Sequence, residues 1–158
     1  RAIRDLSPLT RVREETVRLT PDNARALLGD AHVVIDGSDT FDTRSAVASA
    51  TDELGMPLVW GAVQEWSAQA TVFWSRPPEG RSPVRLSDVF PPDSVGEPPT
   101  CAQVGVLGAL CVQVGGLLAT EAIKLVTGAG EPLLGRMAII DALRARHDIV
   151  PLAPRRTP

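Results

Sequence analysis

At 158 residues, with 44% hydrophobic and 22% charged side chains, the chain has the length and composition of one soluble globular domain with a sizeable core. A net charge of −3 at pH 7 and a pI near 5.4 argue against a basic face for nucleic acid. Two cysteines, Cys101 and Cys111, make no disulfide framework, and a reducing cytoplasm is the default compartment.

The opening "RAIRDLSPLTRV" reads as the tail of an amphipathic helix running into a strand. It carries no signal-peptide or lipidation pattern, and because it starts at Arg1 rather than Met, an upstream segment is expected. Residues 11 to 19, "RVREETVRL", alternate charged with apolar or β-branched positions, the pattern of a strand with one wet face. Thr20 or Asp22 can cap a short helix over 22 to 29, stopped by Gly29. "HVVID" is a short apolar strand suited to a parallel sheet covered on both faces. Residues 41 to 54 form a helix with apolar positions at 47, 50 and 54, ended by Gly55 and Pro57. This β-α-β-α order implies parallel strands joined by crossover helices.

The pattern then changes. "PLVWGAVQEW" and "QATVFWS" are separated by too few residues for a crossover and should pair antiparallel. Residues 75 to 100 are rich in proline, from Pro77 to Pro99, and read as one long loop, a length that usually carries function or disorder. A helix over 104 to 127 follows, closed by Gly128 and Gly130, with Leu107, Leu110, Val114, Leu117 and Leu118 expected in the core. Its small residues at 105, 108, 109, 115 and 116 would let another backbone approach closely. The stretch is as long as a membrane span of roughly 20 residues, but Gln113, Glu121, Lys124 and the glycines favour a buried helix in a soluble protein. "RMAIIDAL" and "RHDIVPL" look like a closing hairpin, and the tail "APRRTP" is expected to be loose. The sum is an α/β fold: a Rossmann-like parallel sheet continuing into antiparallel strands, with a long central helix towards the C-terminus.

Asp36, Asp39 and Asp42 gather where the strand "HVVID" ends, with Arg44 one helical turn beyond Thr40. Open α/β sheets bind ligands at the carboxyl ends of their strands, and Asp39 there could hold a magnesium ion on a triphosphate. Equally, Asp36, Asp39 or Thr40 could simply cap the following helix. Asp42 suits the first turn of that helix, where its dipole favours an acid. Cys101 stands between the proline-rich loop and the long helix, where a helix N-terminus would make a thiol more nucleophilic; the alternative is a small buried hydrophobe. Cys111, among Leu110 and Val112, fits that second description. His32, His147 and the cysteines lack metal-ligand spacing, so no zinc site is expected. Glu121 and Lys124, three apart, read as a helix-surface ion pair.

Taken in order, "VVIDGSDTFDTR", "PLVWGAVQEWSAQATVFW", "TCAQVGVLGAL", "ATEAIKLVTGAGEPLLGRM" and "IIDAL" resemble the ubiquitin-activating-enzyme-like adenylyltransferases. The branch is the one that activates sulfur-carrier proteins for molybdopterin and thiamine biosynthesis (the ThiF, MoeB and MoeZ type). The resemblance covers nearly the whole chain. It implies ATP-dependent adenylation of the C-terminal Gly-Gly of a ubiquitin-like sulfur-carrier protein, with ATP and magnesium as cofactors and a homodimer as the assembly. No nucleic acid and no membrane enter that chemistry. The family's magnesium- and ATP-associated aspartate falls on Asp39, its following arginine on Arg44, and its crossover-loop cysteine on Cys101, which in some members forms a thioester or acyl-disulfide with the carrier. Val59 to Ala62 and the strand from Gln69 to Trp74 are expected to line the carrier's tail channel.

The sequence departs from that pattern in several places. Thr40 stands where the family has asparagine, Gln103 and Val104 precede Gly105 where it has a glycine pair, and neither zinc-binding C-x-x-C pair is present. The family's glycine-rich nucleotide loop and its ribose- and phosphate-binding residues lie upstream of the matched region. The chain therefore reads as the C-terminal portion of one adenylation domain, inactive by itself. The alternative is a non-catalytic binding or dimerisation module of the same fold. An unrelated dinucleotide-binding oxidoreductase is disfavoured by the missing glycine fingerprint.

Overall fold

The computed structural model of the chain describes residues 1–91 and 101–152. Helices α1 (Ala2–Leu6) and α2 (Pro21–Leu28) precede strand β1 (Val34–Asp36), helix α3 (Phe41–Leu54) and the strands β2 (Leu58–Gln64) and β3 (Ser67–Phe73). Three helices follow, α4 (Leu86–Val89), α5 (Cys101–Val104) and α6 (Gly108–Thr127), and the strands β4 (Arg136–Asp141) and β5 (Arg146–Pro151) close the fold. The five strands form one mixed sheet in chain order. Only β1 and β2 are parallel, Val34 facing Leu58, and every later pairing is antiparallel. The change of direction falls where the connections shorten: α3 carries the chain across from β1 to β2, whereas β2 and β3 are joined by a tight turn.

Alternation along the strands divides the interior into two layers. Val59, Ala68, Ala70, Val72, Ala138 and Ile140 face α6 and bury Leu110, Val114 and Leu118 between them. Leu58, Trp60, Phe73 and Met137 face the other way, against Val47 and Ala48 of α3 and Leu86 of α4. Helix α6 lies so close to β2 that a Cβ on Gly61 would stand 2.8 Å from Leu118 Cδ1, so any side chain there would have to displace Leu118.

Four expectations are corrected. Residues 11 to 19 form no strand, because no neighbouring strand among the described residues offers them a ladder; Val17 is left 57% exposed. The single helix expected over 104 to 127 is two. Gly105, at φ +80°, breaks it, and its carbonyl accepts from Glu65 N–H at 3.1 Å while Leu107 N–H donates to the Glu65 carbonyl at 3.0 Å. The tip of the β2–β3 hairpin thus takes over backbone groups that a continuous helix would use. Of the expected core positions on this stretch, Leu110, Val114 and Leu118 are buried, and Leu107 and Leu117 are partly so. The proline-rich segment, expected to be all loop, contains α4 and a bridge between Trp74 and Val84; the rest of it to residue 91 is loop as expected, and residues 92–100 and the tail from 153 lie outside the described residues.

The fourth correction is Glu121. It is 1% exposed, not a surface residue. One carboxylate oxygen accepts from Lys124 Nζ at 2.5 Å, and the other from Leu133 N–H at 2.7 Å. Lys124 also donates to the Glu131 carbonyl, and Thr71 of β3 donates to the carbonyl of Arg136. Glu121 thereby ties α6 to the turn that starts β4. Removing Glu121 takes the counter-charge from a half-buried Lys124 and leaves the buried Leu133 N–H unpaired. Glu121→Ala should lower stability by about 3 kcal/mol in denaturant titration. A loss below about 1 kcal/mol, the range of an exposed pair, would contradict this role.

Candidate functional site

The turn between β1 and α3 arranges the carboxylates. Asp36 is 4% exposed; its Oδ1 accepts from Ser38 N–H at 2.8 Å, an Asx turn that bends the chain off the strand. Thr40 takes the N-cap of α3: its Oγ1 accepts from Thr43 N–H at 3.4 Å and donates to Thr43 Oγ1 at 2.8 Å. Arg44 reaches back from the second turn of α3 to donate to the Ser38 carbonyl at 2.5 Å. Asp42 sits exposed in the first turn, as the helix dipole favours. Asp39 is left exposed, and among the described residues it accepts no hydrogen bond. Of the two readings of this cluster, capping is carried by Thr40 and turn formation by Asp36. The departure from asparagine at position 40 is thus a working cap.

Asp39 and Arg44 from one motif and Cys101 from another, far apart in sequence, line one cavity of about 270 Å³. Its floor is the α3-side face of the β2–β3 hairpin, with Trp60, Ala62, Gln64, Ser67 and Gln69. Phe41 closes it from α3, and Leu86 and Phe90 from the α4 region. The Arg44 guanidinium lies 5.0 Å over the Trp60 ring, a cation–π distance. Burial lowers the Arg44 pKa from its usual value, and the charges of Asp36, Cys101 and Asp39 oppose that shift. Arginine remains a cation under this load, so the cavity keeps one fixed positive charge beside a free carboxylate and a thiol.

Cys101 is half-buried with Sγ 3.8 Å from the Val63 carbonyl. Its expected place at the start of a long helix is corrected: it begins the one-turn α5, whose dipole is far smaller than that of a 20-residue helix. Its chemistry must come from the cavity instead. The residues expected to line the carrier's channel divide between the two faces of the sheet. Trp60, Ala62 and Gln69 face the cavity, whereas Val59, Gly61 and Val72 face α6, as the two-residue period of a strand requires. Phe41, Leu86 and Phe90 were not foreseen. The one signal for the last two was "RLSDVF", where Asp88 accepts from Arg85 N–H at 2.8 Å and starts a helix inside the proline-rich segment.

The ThiF family matches residues 1–158. This chain belongs to the ThiF family. It is 43% identical over 143 residues to the probable adenylyltransferase/sulfurtransferase MoeZ of Mycobacterium tuberculosis, covering 90% of this chain and 36% of that protein. It is 42% identical over 141 residues to the sulfur carrier protein adenylyltransferase of Thermus thermophilus, covering 89% of this chain and 52% of that one. The chain thus spans roughly a third to a half of these relatives' length. Among solved structures, E. coli MccB with ATP superposes with a TM-score of 0.71 at 13% identity, covering 98% of this chain and 46% of that one, which shows a shared ThiF-type fold.

This ThiF-family site separates by mutation into a cap and a free carboxylate. Thr40→Ala should cost about 1 kcal/mol of stability, while Asp39→Ala should leave the denaturation midpoint unchanged. The reverse order in chemical denaturation would return the cap to Asp39.

Proposed function

We propose that this chain is part of an adenylyltransferase that activates the C-terminal carboxylate of a ubiquitin-like sulfur-carrier protein. The carrier carboxylate attacks the α-phosphate of ATP, an acyl-adenylate forms and pyrophosphate leaves. The observation that carries this reading is Asp39: its helix is capped by another residue, and its exposed carboxylate lines one cavity with Arg44 and Cys101. The names of the relatives, adenylyltransferase and sulfurtransferase, support it. The sequence has no glycine-rich phosphate-cradling loop, and we assign that part to a further segment of a longer polypeptide.

Asp39 is the residue that would hold magnesium. Among the described residues no three His, Cys, Asp or Glu side chains cluster, so an all-protein cage is not on offer. Magnesium fits a single carboxylate, since it completes its shell with water and substrate phosphate oxygens. When bound it offsets phosphate charge. Arg44 serves ATP by shape: its hydrogen bond to Ser38 and its contact with Trp60 hold the turn that presents Asp39. Cys101 is the group that can accept the activated carrier. Its thiolate attacks the acyl-adenylate carbonyl, a thioester forms and AMP leaves. A reducing cytoplasm keeps that thiol available.

Carrier-dependent ATP–pyrophosphate exchange tests the reading. The full-length protein should catalyse it and residues 1 to 158 alone should not. In the full-length protein Asp39→Ala should lower the rate by about two to three orders of magnitude, whereas Cys101→Ser should keep exchange and lose the covalent carrier adduct. An active Asp39→Ala enzyme would remove the metal role, and a full-length protein without exchange would favour the non-catalytic module.

The assembly we propose is a homodimer. Gly108, Val112, Gly115, Gly116, Ala119 and Ile123 form one open face of α6, with Val112 77% and Ile123 61% exposed and nothing within 4 Å of where the glycines' Cβ atoms would stand. The full-length protein should sediment as a dimer at micromolar concentration, and Val112→Glu should shift it to monomer. A wild-type monomer would assign this face to another part of the polypeptide.

A further inference from the structure

The Trp60 indole is buried, and among the described residues its Nε1 has no hydrogen-bond partner. A buried indole N–H usually has one, and that bond helps to fix the ring. Here packing sets the pose instead. Three groups press on the ring: Phe73 at 5.8 Å and Phe90 at 5.2 Å between centroids, and the Arg44 guanidinium at 5.0 Å over its face. Phe73 is part of the sheet, in β3 beside β2, and moves with Trp60. Phe90 comes from outside the sheet, at the end of α4 in the proline-rich segment.

Local bonds place Phe90. Its N–H donates to the Leu86 carbonyl at 2.8 Å and closes α4, while Asp88 accepts from Arg85 N–H at 2.8 Å and opens it. Leu86, 5% exposed, seats the short helix in the same apolar layer as Trp60. Arg85 Nε also stands 3.8 Å from Asp52 of α3, but a pair this exposed and this long adds little.

On the other side of the ring, Arg44 donates to the Ser38 carbonyl at 2.5 Å. An arginine side chain has many rotamers, and the stack on Trp60 selects the one that reaches Ser38. Ser38 precedes Asp39. A continuous line of contacts therefore runs from Phe90 through Trp60 and Arg44 to the turn that carries the exposed carboxylate.

We propose that Phe90 is a positioning residue: its ring wedges the Trp60 indole against the Arg44 guanidinium and so holds the β1–α3 turn in the form that presents Asp39 to magnesium. The metal role of Asp39 rests on the proposed function, whereas the link from Phe90 to the turn does not.

Two measurements on the full-length protein test it. Phe90→Leu keeps an apolar side chain and removes the ring; Phe90→Tyr keeps the ring. Without metal or nucleotide, amide hydrogen–deuterium exchange read by mass spectrometry should be several-fold faster in Phe90→Leu for residues 33–44 and unchanged in β3. In the ATP–pyrophosphate reaction, the magnesium concentration for half-maximal rate should rise about three- to tenfold, the range one aromatic pair contributes, with the carrier KM unchanged. Phe90→Tyr should restore both values. In an Arg44→Lys background, Phe90→Leu should add little to either. Unchanged deuterium uptake over 33–44, or an equal rise in β3, would overturn the positioning role. A raised carrier KM with the same magnesium dependence would make Phe90 only a wall of the cavity and overturn it too. A wild type without the ATP–pyrophosphate reaction would retire the adenylation reading, and deuterium uptake over 33–44 would then decide the link from Phe90 by itself.

Discussion

The site depends on how the chain leaves β1. Asp36 holds the Ser38 N–H, Arg44 holds the Ser38 carbonyl, and Thr40 caps α3. Both backbone groups of Ser38 are thus fixed from opposite directions, one by the strand that ends and one by the helix that begins. Asp39, the next residue, is presented by a rigid turn yet takes no part in holding it. A carboxylate that also capped the helix would be engaged by backbone N–H groups and less free for a cation. Dividing structure and chemistry among adjacent residues removes that conflict.

The same turn is tied into the α3-side layer of the fold. Arg44 lies on Trp60, which contacts Phe73 of β3 at 5.8 Å between ring centroids and Phe90 beyond α4 at 5.2 Å. The aromatic cluster therefore connects the turn that carries Asp39, the sheet floor and the edge of the proline-rich segment. A change in the position of Phe90 has a short route of packed atoms to Arg44 and so to Asp39. On the far side of the sheet, Glu121 plays the equivalent anchoring part, pinning α6 to the start of β4 through Leu133. Between them the sheet is held flat against α6 at Gly61 and open towards the cavity at Ala62, one residue apart on opposite faces.

Local signals in the sequence carried much of this. The apolar period of α3, its stop at Gly55, the antiparallel pairing of β2 with β3 and the closing β4–β5 hairpin all follow from spacing and turn residues, and all are present. Asp39, Arg44 and Cys101 were legible through the order of five motifs, and they do meet in one cavity. What could not be read was which residue of the 36–40 turn caps the helix, since aspartate and threonine cap about equally well and the sequence holds both.

The sequence by itself determined the elements whose hydrogen bonds close within a few residues, and the residue types available at the end of β1. Only the tertiary structure decided the rest: that 11 to 19 finds no ladder, that Gly105 gives its carbonyl to the hairpin tip, that Glu121 is buried, and that Gln69 and Trp60 share a floor with Asp39's cavity. The physical reason is common to all four. Each depends on a partner brought in from another part of the chain, and a backbone group or buried side chain takes whichever partner the folded arrangement places within reach.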